Sequence, residues 1–246
     1  MKINAYIMLH YGSEYLDACI RSIDPVVDQI NIVYQEAASH QRAPKGAICP
    51  DSVFLLKNIA KNASNKIKWH IVSNNTRECD HLQEGLRRSD GCDLYLRMDA
   101  DEVWEPNSLQ NCIDQAANTD SMYIGIVGFV NFWRSFDHAV FDRFGPIRIH
   151  NMKSTNKAPK MIDGTMYHFG YAINEATMKY KLLIHGHKDE WRAEWHDRWL
   201  KWTPETVGEN WHPTTDAYWH KVEPFDKTIL PDYLKTHPYY NVPIIR

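Results

Sequence analysis

The sequence predicts an α/β fold with a largely parallel central sheet and helices on both faces. Over residues 3–132, apolar segments of strand length alternate with segments of helical periodicity. This β-α-β rhythm is typical of parallel sheets whose connections cross over through helices. Ligands of such sheets bind outside the carboxyl ends of the strands, so the residues that follow each apolar run are the first candidates for a site.

Five apolar runs have the length and composition of strands. The first, INAYIML, leads directly into polar residues, and the fifth, MYIGIVGFVNF, is the longest. Apolar runs bounded by turn-forming residues are typical of buried strands. Strands are therefore predicted at residues 3–9, 29–34, 67–72, 93–98 and 122–132.

Four helices are predicted between these strands. Ser13 is the predicted N-cap of the first, in which Leu16, Ile20 and Ile23 fall on one face. Asp51 is the predicted cap of the second helix. The remaining two helices are predicted at residues 78–88 and from Pro106 to about Ala117, where proline suits the first helical turn.

Composition restricts the class of protein. The 246 residues are 43% hydrophobic and 24% charged, which are ordinary globular values and exclude wholesale disorder. The net charge of −3 provides no global basic field for nucleic acid. The five cysteines have no zinc-knuckle spacing, so free thiols in a reducing cytoplasm are expected. The apolar N-terminal stretch is too short for a membrane span, and we expect a cytoplasmic protein.

Composition changes after about residue 150. Six of the nine tryptophans lie between Trp191 and Trp219, and no Ser/Gly tract separates the two parts. We therefore expect a core at 1–150 and a Trp-rich C-terminal lobe at 151–246 within one structural unit. The spacing of the tryptophans at 191, 195, 199 and 202 predicts one helical face. Such stripes usually pack in a core, and the alternative is a platform that stacks on sugar rings or bases.

Two aspartates follow the fourth predicted strand. Asp99 and Asp101 are two residues apart in Leu96-Arg97-Met98-Asp99-Ala100-Asp101-Glu102. Extended residues with this spacing point to the same side, so both carboxylates can face one point of the cleft. Paired carboxylates attract Mg²⁺ or Mn²⁺, which neutralises a departing diphosphate. The alternative is a polar turn in which one aspartate caps the next helix.

In this context the chain resembles the GT-A glycosyltransferases that use nucleotide sugars, especially those of family two. The resemblance covers about residues 3–135, and it implies a Rossmann-like GT-A fold and a donor such as UDP-glucose. It also implies that Asp99 approaches the donor ribose or a metal-bound water, and that Asp101 ligates the metal. The segments that carry it are Ile3 to Leu9, Glu14-Tyr15-Leu16, Arg21-Ser22-Ile23, Asp28 to Tyr34, Asn75-Thr76-Arg77, Glu84-Gly85 and Leu96 to Glu102.

Recognition of the base is expected to differ from that family. Its members often carry an aspartate at the end of the second strand, where this chain has Tyr34-Gln35-Glu36. Gln35 is the predicted amide partner of the base, with Tyr11 or Tyr34 stacking on it. Arg77 is a further candidate donor-binding residue, from the turn that belongs to the resemblance.

A second motif lies in the C-terminal lobe. Tyr167-His168-Phe169-Gly170-Tyr171, followed by Lys179 and Lys181, is similar to a pattern of some GT-A enzymes. Imidazole favours Mn²⁺ over Mg²⁺, so His168 is the predicted third metal ligand beside Asp99 and Asp101. Lys179 or Lys181 is the predicted partner of the diphosphate. The alternatives are a histidine packed among aromatic rings, or a metal pair at His185 and His187.

These residues indicate sugar transfer, expected to be hexosyl transfer, from a nucleoside-diphosphate sugar to a hydroxyl group. An inverting route needs a carboxylate base, for which Asp163 is the candidate and Glu190 and Asp189 are the alternatives. One rival is a metal-dependent nucleotidyltransferase, against which the loop at residues 10–13 lacks arginine and lysine. Another is a non-catalytic module that binds sugar or nucleic acid. The expected acceptor is a soluble glycan or a protein side chain, and a hydroxymethylated DNA base is a minority alternative.

Overall fold

The computed structural model describes residues 1–38, 48–72, 78–88, 90–142, 145–184, 190–206, 211–214, 219 and 221–246. Ten strands and seven helices lie within these ranges. The strands are β1 (Ile3–Leu9), β2 (Gln29–Gln35), β3 (Ile67–Val72), β4 (Leu94–Asp99), β5 (Glu102–Trp104), β6 (Tyr123–Trp133), β7 (His138–Asp142), β8 (Ile147–Asn151), β9 (Lys160–Tyr171) and β10 (Glu223–Pro224). The helices are α1 (Leu16–Ile23), α2 (Val53–Ala63), α3 (Glu78–Arg88), α4 (Pro106–Ala117), α5 (Glu175–Ile184), α6 (Trp195–Lys201) and α7 (Asp232–Lys235).

The ten strands form one sheet, in which eight follow the order β10-β7-β6-β8-β4-β1-β2-β3, while β9 pairs with β6 and with β5 off this path. The four N-terminal strands are parallel, since β1 pairs with β2 and β4, and β2 pairs with β3. The predicted α/β class with a parallel centre is confirmed. The other half of the sheet was not predicted in detail: β8 is antiparallel to β4 and β6, and β7 is antiparallel to β6.

Helices cover both faces of the parallel strands, as predicted. Ile3, Ala5 and Ile7 of β1 pack in the apolar cluster that includes α1, α2 and α4. The alternate residue Tyr6 packs on the other face with residues of α3. Gly85 of α3 lies directly over the Tyr6 ring, where an added Cβ would come within 2.4 Å of a ring carbon. This close approach seats α3 on the sheet.

Two predicted helix caps are wrong. The side chain of Ser52, one residue after Asp51, caps α2 by accepting a hydrogen bond from Leu55 N at 3.2 Å. Tyr15 precedes α1 and makes no side-chain cap. Ser13 and Asp51 instead bond to each other across the sheet edge, because Asp51 accepts hydrogen bonds from the β1–α1 loop.

A second apolar cluster holds the C-terminal lobe together. Trp133, from the end of β6, packs edge to face against Trp195 and Trp211. The prediction that most of the tryptophan stripe is core is confirmed, since Trp195, Trp199 and Trp202 are buried. The predicted single helical face is wrong, because α6 contains only the middle two of the four tryptophans. Trp191 lies in an isolated bridge with Thr214, and Trp202 follows the helix end.

Arg134 ties this lobe to the sheet. It has the left-handed φ of 50°, which is uncommon for a residue other than glycine. Its guanidinium donates to the carbonyls of Trp199, Leu200 and Ile245 and stacks on the Trp199 ring at 4.5 Å. Two distant backbone segments, α6 and the residues around Ile245, therefore meet at one side chain.

Four cysteines, at 19, 49, 92 and 112, are free thiols, as expected. Among the described residues, no helix combines the length and the apolar character that crossing a bilayer requires.

Candidate active site

The candidate site lies at the carboxyl end of β4. Asp99 is the last residue of β4, Ala100 and Asp101 form a turn, and Glu102 begins β5. β5 is antiparallel to β9, with Glu102 opposite His168. The strand pairing therefore brings the predicted histidine next to the predicted carboxylates, although they lie 67 or more residues apart in the chain.

A buried arginine organises the turn. Arg148 of β8 donates through Nε to Glu102 Oε2 at 2.8 Å and through Nη2 to Asp99 Oδ2 at 2.8 Å. Glu102 is 1% exposed, and its Oε2 also accepts from Asp99 N at 3.0 Å. Burial holds the pKa of Glu102 above its usual value, and the charge of Arg148 offsets this effect only in part. One guanidinium thus holds two carboxylates in place.

The two carboxylate oxygens of Asp99 differ in their hydrogen bonding. Oδ2 is bonded to Arg148, whereas Oδ1 is buried and has no hydrogen-bond partner among the described residues. A buried acceptor without a donor is costly, and donors from a ligand can satisfy it. Asp99 Oδ1 is therefore the oxygen that this arrangement offers to a hydroxyl or an amide of a bound molecule.

Asp101 faces two nitrogen atoms from the C-terminal lobe. Its Oδ2 lies 3.3 Å from Lys181 Nζ and 3.7 Å from His168 Nε2. Burial raises the pKa of Asp101, but Lys181 and His168 outweigh it and hold the pKa well below its usual value. Lys181 Nζ also donates to Gly170 O at 3.1 Å and lies 5.3 Å from the centre of the Tyr171 ring.

His168 has features of both environments predicted for it: it faces Asp101, and its ring is packed among aromatic side chains. Its Nδ1 lies 2.6 Å from Asn131 Oδ1, while its ring stacks on Phe129 at 5.1 Å and meets the edge of Tyr171 at 5.6 Å. The ring is thus packed among aromatic side chains and still turns Nε2 toward Asp101. The bond to Asn131 fixes the orientation of the ring.

Gly170 makes room for these groups. A Cβ added there would lie 2.5 Å from both His168 Nε2 and Lys181 Nζ. Real Cβ atoms do not approach other atoms so closely, so any larger residue would displace the histidine or the lysine. The space beside Gly170 is the point at which Asp101, His168 and Lys181 converge.

The residues do not form a divalent-metal site as they are arranged. No three His, Cys, Asp or Glu side chains in the described ranges converge as metal ligands. The physical reason is that protein cations already hold both aspartates, Arg148 at Asp99 and Lys181 at Asp101. The trio Asp99, Asp101 and His168, predicted as metal ligands, is therefore brought together but not assembled around a cation position.

The loop after β1 borders the same space. Tyr11 packs edge to face against Tyr180 of α5 at 5.5 Å. Burial, followed by the charge of Asp101, raises the pKa of Tyr11 well above its usual value, which keeps the phenol protonated beside the carboxylate. His10 Nδ1 donates to Gln35 O at 2.8 Å, and Tyr180 OH lies 2.5 Å from His10 Nε2. Helix α5 is thereby linked to β1 and β2.

Asp51 fixes the shape of that loop. Its Oδ2 accepts from Gly12 N at 2.7 Å and from Ser13 N at 2.9 Å, and its Oδ1 accepts from the Ser13 hydroxyl. Gly12 has a φ of 134°, and a Cβ there would come within 2.7 Å of Ala100 Cβ. The loop thus packs directly against the Asp99–Asp101 turn.

Other predicted site residues lie elsewhere or are committed to other contacts. Gln35 is buried, and its Nε2 donates to Ala37 O at 2.7 Å, so reading a base would require it to turn. Lys179 is 58% exposed and pairs with Glu175 at 2.5 Å. Asp163 is exposed on β9, five residues and roughly 16 Å along the strand from His168. The expectation that Asp163 enters the cleft is therefore not met.

Glu190 is exposed at the start of the range 190–206. Four other predicted residues lie outside the described residues: the donor-binding candidate Arg77, the base candidate Asp189, and the histidine pair His185 and His187.

Three residues of the site were missed by sequence reasoning. Arg148, Asn131 and Asp51 each act on a residue at least 37 positions away. Two signals were available. Arg148 interrupts the apolar run Ile147-Arg148-Ile149, and Asn131 interrupts the longest apolar run of the chain. A polar residue inside a buried strand indicates a specific partner.

Comparisons with known proteins find distant structural similarity. No protein-family model matches the chain, and no curated protein matches its sequence. Among solved structures, S. aureus TarS 1–349 is similar with a TM-score of 0.43 and 12% identity, over 75% of this chain and 64% of that one.

Two similar structures contain a nucleotide. TarS 1–349 in complex with UDP has a TM-score of 0.36 and 15% identity, over 52% of this chain and 36% of TarS. Glucosyl-3-phosphoglycerate synthase from Mycobacterium tuberculosis with Mg²⁺ and UDP has a TM-score of 0.34 and 12% identity, over 54% of this chain and 44% of the synthase. The chain thus spans less than two thirds of the length of each of these three structures. All three TM-scores lie below 0.5, so the function is argued from the site.

Proposed function

We propose that the protein is a glycosyltransferase that moves a sugar from a nucleoside-diphosphate sugar, UDP-glucose being the expected type, to a hydroxyl acceptor. One observation carries the proposal: Asp101, two residues after Asp99 at the end of β4, faces a lysine and a histidine across one small space. That space adjoins the β1 loop at the carboxyl edge of a parallel sheet, where α/β proteins bind nucleotides.

The donor's ribose and base are assigned to the N-terminal strands. Asp99 Oδ1, buried and lacking a donor, accepts a hydrogen bond from a ribose hydroxyl. Tyr11 from the β1 loop is the proposed stacking surface for the base, and Gln35 at the end of β2 remains the predicted partner of the base. The ordered loop around Asp51 supports this role, because stacking requires a surface that does not move.

Lys181 is assigned to the diphosphate. An ammonium group binds phosphate oxygens as a compact charge, and Lys181 Nζ is turned into the site beside Gly170. In the transfer, the acceptor oxygen forms a bond to the anomeric carbon while the bond from that carbon to the diphosphate breaks. The bonding electron pair leaves with the nucleoside diphosphate, and Lys181 stabilises the negative charge that develops there.

The acceptor hydroxyl loses its proton during the transfer, and another group must accept that proton. In an inverting route a carboxylate takes it, and Glu190 and Asp189 remain the proposed bases. A retaining route can pass the proton to the departing diphosphate. Both routes balance, and the stereochemistry of the product distinguishes them.

Dependence on Mn²⁺ or Mg²⁺ is part of the proposal, although Lys181 and Arg148 now hold the two aspartates. A divalent cation, when bound, adds positive charge to the diphosphate. The proposed division of the chain gives residues 151–246 the acceptor side, with His168 and Lys181 reaching back to the donor. The acceptor is proposed to be a soluble glycan or protein hydroxyl, with a hydroxymethylated DNA base as the alternative.

Hydrolysis of nucleotide sugars tests the proposal without an acceptor. The full chain is incubated with UDP-glucose and UDP-GlcNAc, with and without Mn²⁺, and released UDP is measured. Asp101→Asn is expected to lower the rate by about 100-fold or more, since it removes the charge that positions Lys181 and His168. The control is Asp114→Asn, on the exposed side of α4. Full activity of Asp101→Asn contradicts the site.

A further inference from the structure

Strands β6 and β9 place a row of side chains on one side of the sheet, beginning at the candidate active site. Asn131 and Trp133 of β6 lie opposite His168 and Tyr171 of β9. The ladder shifts register between these two pairs, and such a bulge turns a side chain to a new direction. The Tyr171 ring accordingly meets the edge of the His168 ring at 5.6 Å. We call Asn131, Trp133, His168 and Tyr171 the β6–β9 face.

Two buried donors of the β6–β9 face have no acceptor. Asn131 Nδ2 and Trp133 Nε1 are both buried, and neither makes a hydrogen bond among the described residues. Asn131 uses its other amide atom, Oδ1, to hold His168. The two residues are two apart on one strand, so both side chains lie on the same side of it. Buried donors without an acceptor are costly, and an acceptor from a bound molecule satisfies them.

Two other buried tryptophans of the C-terminal lobe show the contrast. Trp195 Nε1 donates to Trp211 O at 2.8 Å, and Trp199 Nε1 donates to Tyr171 O at 3.0 Å. The packing of these two rings therefore includes an acceptor for the indole N–H. Trp133 is just as buried, with 0% of its surface exposed, and has no such acceptor in the described part of the chain.

Aromatic rings border the two donors. Tyr171 stacks on Trp133 with ring centres 5.7 Å apart and meets Trp219 edge to face at 5.2 Å. Both β9 residues of the face keep part of their surface exposed, and the His168 side chain is 15% exposed. Aromatic walls with a few fixed polar groups are typical of pockets for small ligands. A sugar fits this combination, because its C–H groups pack on rings while its oxygens accept hydrogen bonds.

The neighbours of Tyr171 indicate which sugar binds. Lys181 Nζ, assigned above to the diphosphate, lies 5.3 Å from the centre of the Tyr171 ring, and Trp133 stacks on the same ring. In a nucleoside-diphosphate sugar the transferred sugar is bonded directly to the diphosphate. The sugar therefore follows the diphosphate along this face, from Lys181 toward Trp133.

We propose that Asn131 Nδ2 and Trp133 Nε1 donate hydrogen bonds to oxygens of the transferred sugar. These oxygens belong to hydroxyl groups or to the carbonyl of an acetamido group, both of which accept from an N–H. The inference rests on the proposed function and deepens it. Asn131 and Trp133 select the sugar, whereas the groups at the ends of β1, β2 and β4 bind the nucleotide.

Comparison of UDP-sugars with UDP isolates the contribution of the sugar. The affinities of the full chain for UDP, UDP-glucose and UDP-GlcNAc are measured by calorimetry. Trp133→Phe keeps an aromatic ring and removes the N–H, so the affinity for at least one UDP-sugar is expected to fall about fivefold. The affinity for UDP should stay within about twofold. A loss confined to UDP-GlcNAc identifies the acetamido carbonyl as the partner, and a loss for UDP-glucose identifies a hydroxyl oxygen.

The matched control is Trp195→Phe. It makes the same chemical change in the same aromatic cluster, but to an N–H that already donates to Trp211 O. The variant takes the donor away from a buried carbonyl, so its melting temperature should lie below that of Trp133→Phe. Its affinities for all three ligands should match those of the unmodified chain.

Asn131→Asp tests the second donor. The aspartate keeps an oxygen for His168 and replaces Nδ2 by an oxygen, which cannot donate to the sugar. We expect weaker binding of UDP-sugars relative to UDP, again by about fivefold. This variant takes the place of Trp133→Phe if the latter fails to fold, as judged by circular dichroism.

The outcomes separate the inference from the proposed function. The inference is overturned if the folded variants bind UDP-sugars and UDP in the same ratio as the unmodified chain, or if the unmodified chain binds no UDP-sugar. The proposed function fails on its own if the predicted dependence on Trp133 is found but the chain neither releases UDP nor transfers sugar. In that case the chain has a sugar site without transferase activity.

Discussion

The imidazole of His168 is held in place by Asn131, with 2.6 Å between Nδ1 and Oδ1. Asn131 lies on β6 and His168 on β9, and the two residues are directly opposite in the parallel ladder. Because the amide oxygen accepts the Nδ1 proton, the other ring nitrogen is turned to Asp101. A backbone register thus fixes which atom of the histidine enters the site.

Replacing Asn131 is expected to weaken the site without removing any charged group. In Asn131→Leu the histidine ring loses its hydrogen bond, so Nε2 no longer points reliably at Asp101. Loss of such an orienting partner typically costs 10–100-fold in binding by the oriented group, and we expect UDP affinity to fall about tenfold.

The matched control is Asn151→Ala. Asn151 is also buried, but it donates to Ala116 O and Thr119 O at the end of α4. The Asn151→Ala variant should be less stable than the unmodified chain and should bind UDP with the same affinity. Equal UDP affinity in both variants, measured by calorimetry on folded protein, would count against the role of Asn131.

The buried ion pair predicts a large loss of stability when only one partner is removed. Arg148→Met leaves Glu102 buried without its counter-ion, and we expect the free energy of unfolding to fall by about 3–5 kcal/mol. Adding Glu102→Gln removes the stranded charge and should recover part of that loss. The exposed pair Arg21–Asp17 is the control, since Arg21→Met should cost less than about 1 kcal/mol. Urea denaturation measures all four chains, and a double variant no more stable than Arg148→Met contradicts the reasoning.

The lowered pKa of His150 predicts a loss of stability in mild acid. Burial lowers its pKa to about 4, with help from Arg97 and Arg148, whereas an unfolded histidine titrates near 6.5. Between these values the unfolded chain binds more protons, so stability is full above pH 6.5 and falls as the pH drops toward 4. The contribution of His150 should decrease by about 2 kcal/mol between pH 7 and pH 5.

The measurement is the difference between the unmodified chain and His150→Gln in urea denaturation at both pH values. The variant has no proton to take up at this position, so its own decrease should be smaller by the stated amount. Parallel decreases in both proteins would show that other groups account for the acid sensitivity.

Replacement of Trp195 tests how much the stability of the C-terminal lobe depends on its aromatic core. The ring is 1% exposed, and its Nε1 donates to Trp211 O at 2.8 Å. Trp195→Ala should lower the free energy of unfolding by about 3–5 kcal/mol, as expected for a large core side chain. Phe54→Ala is the control, because that ring is 72% exposed and should change stability by less than about 0.5 kcal/mol. Comparable melting temperatures for the two variants contradict a core role.

The sequence allowed most elements of the N-terminal half to be predicted to within a residue or two. β1, β3, α3 and α4 begin and end where the hydrophobic pattern predicts. These elements are encoded locally, by runs of apolar residues and their spacing. β5 was missed because three residues carry no periodicity, and β9 because its glycines and polar residues obscure the alternation.

The same distinction between local and long-range information applies to the residues of the candidate site. The Asp99–Asp101 pair was found because two residues at a strand end are a local pattern, and Lys181 because the chain resembles a known pattern. The role of Arg148 depends on the register of β8 against β4, where Leu96 lies opposite Ile149. Nothing within a few residues of Arg148 specifies that register. The tryptophan spacing misled for a different, local reason: α6 ends at Lys201, shortly before Pro204, so Trp202 lies outside the helix.

Contacts between residues far apart in the chain complete the fold. His237 stacks on Tyr15 with ring centres 4.7 Å apart, and its Nε2 donates to Glu14 O. Ile245 N donates to Arg134 O at 2.7 Å. A ribosome adds about 5–20 residues per second, so the loop beside the candidate site waits for its last packing partner for about 10–50 s after it is made. Throughout that interval the Tyr15 ring lacks its late-made partner, so the nascent chain exposes aromatic surface that the folded chain buries.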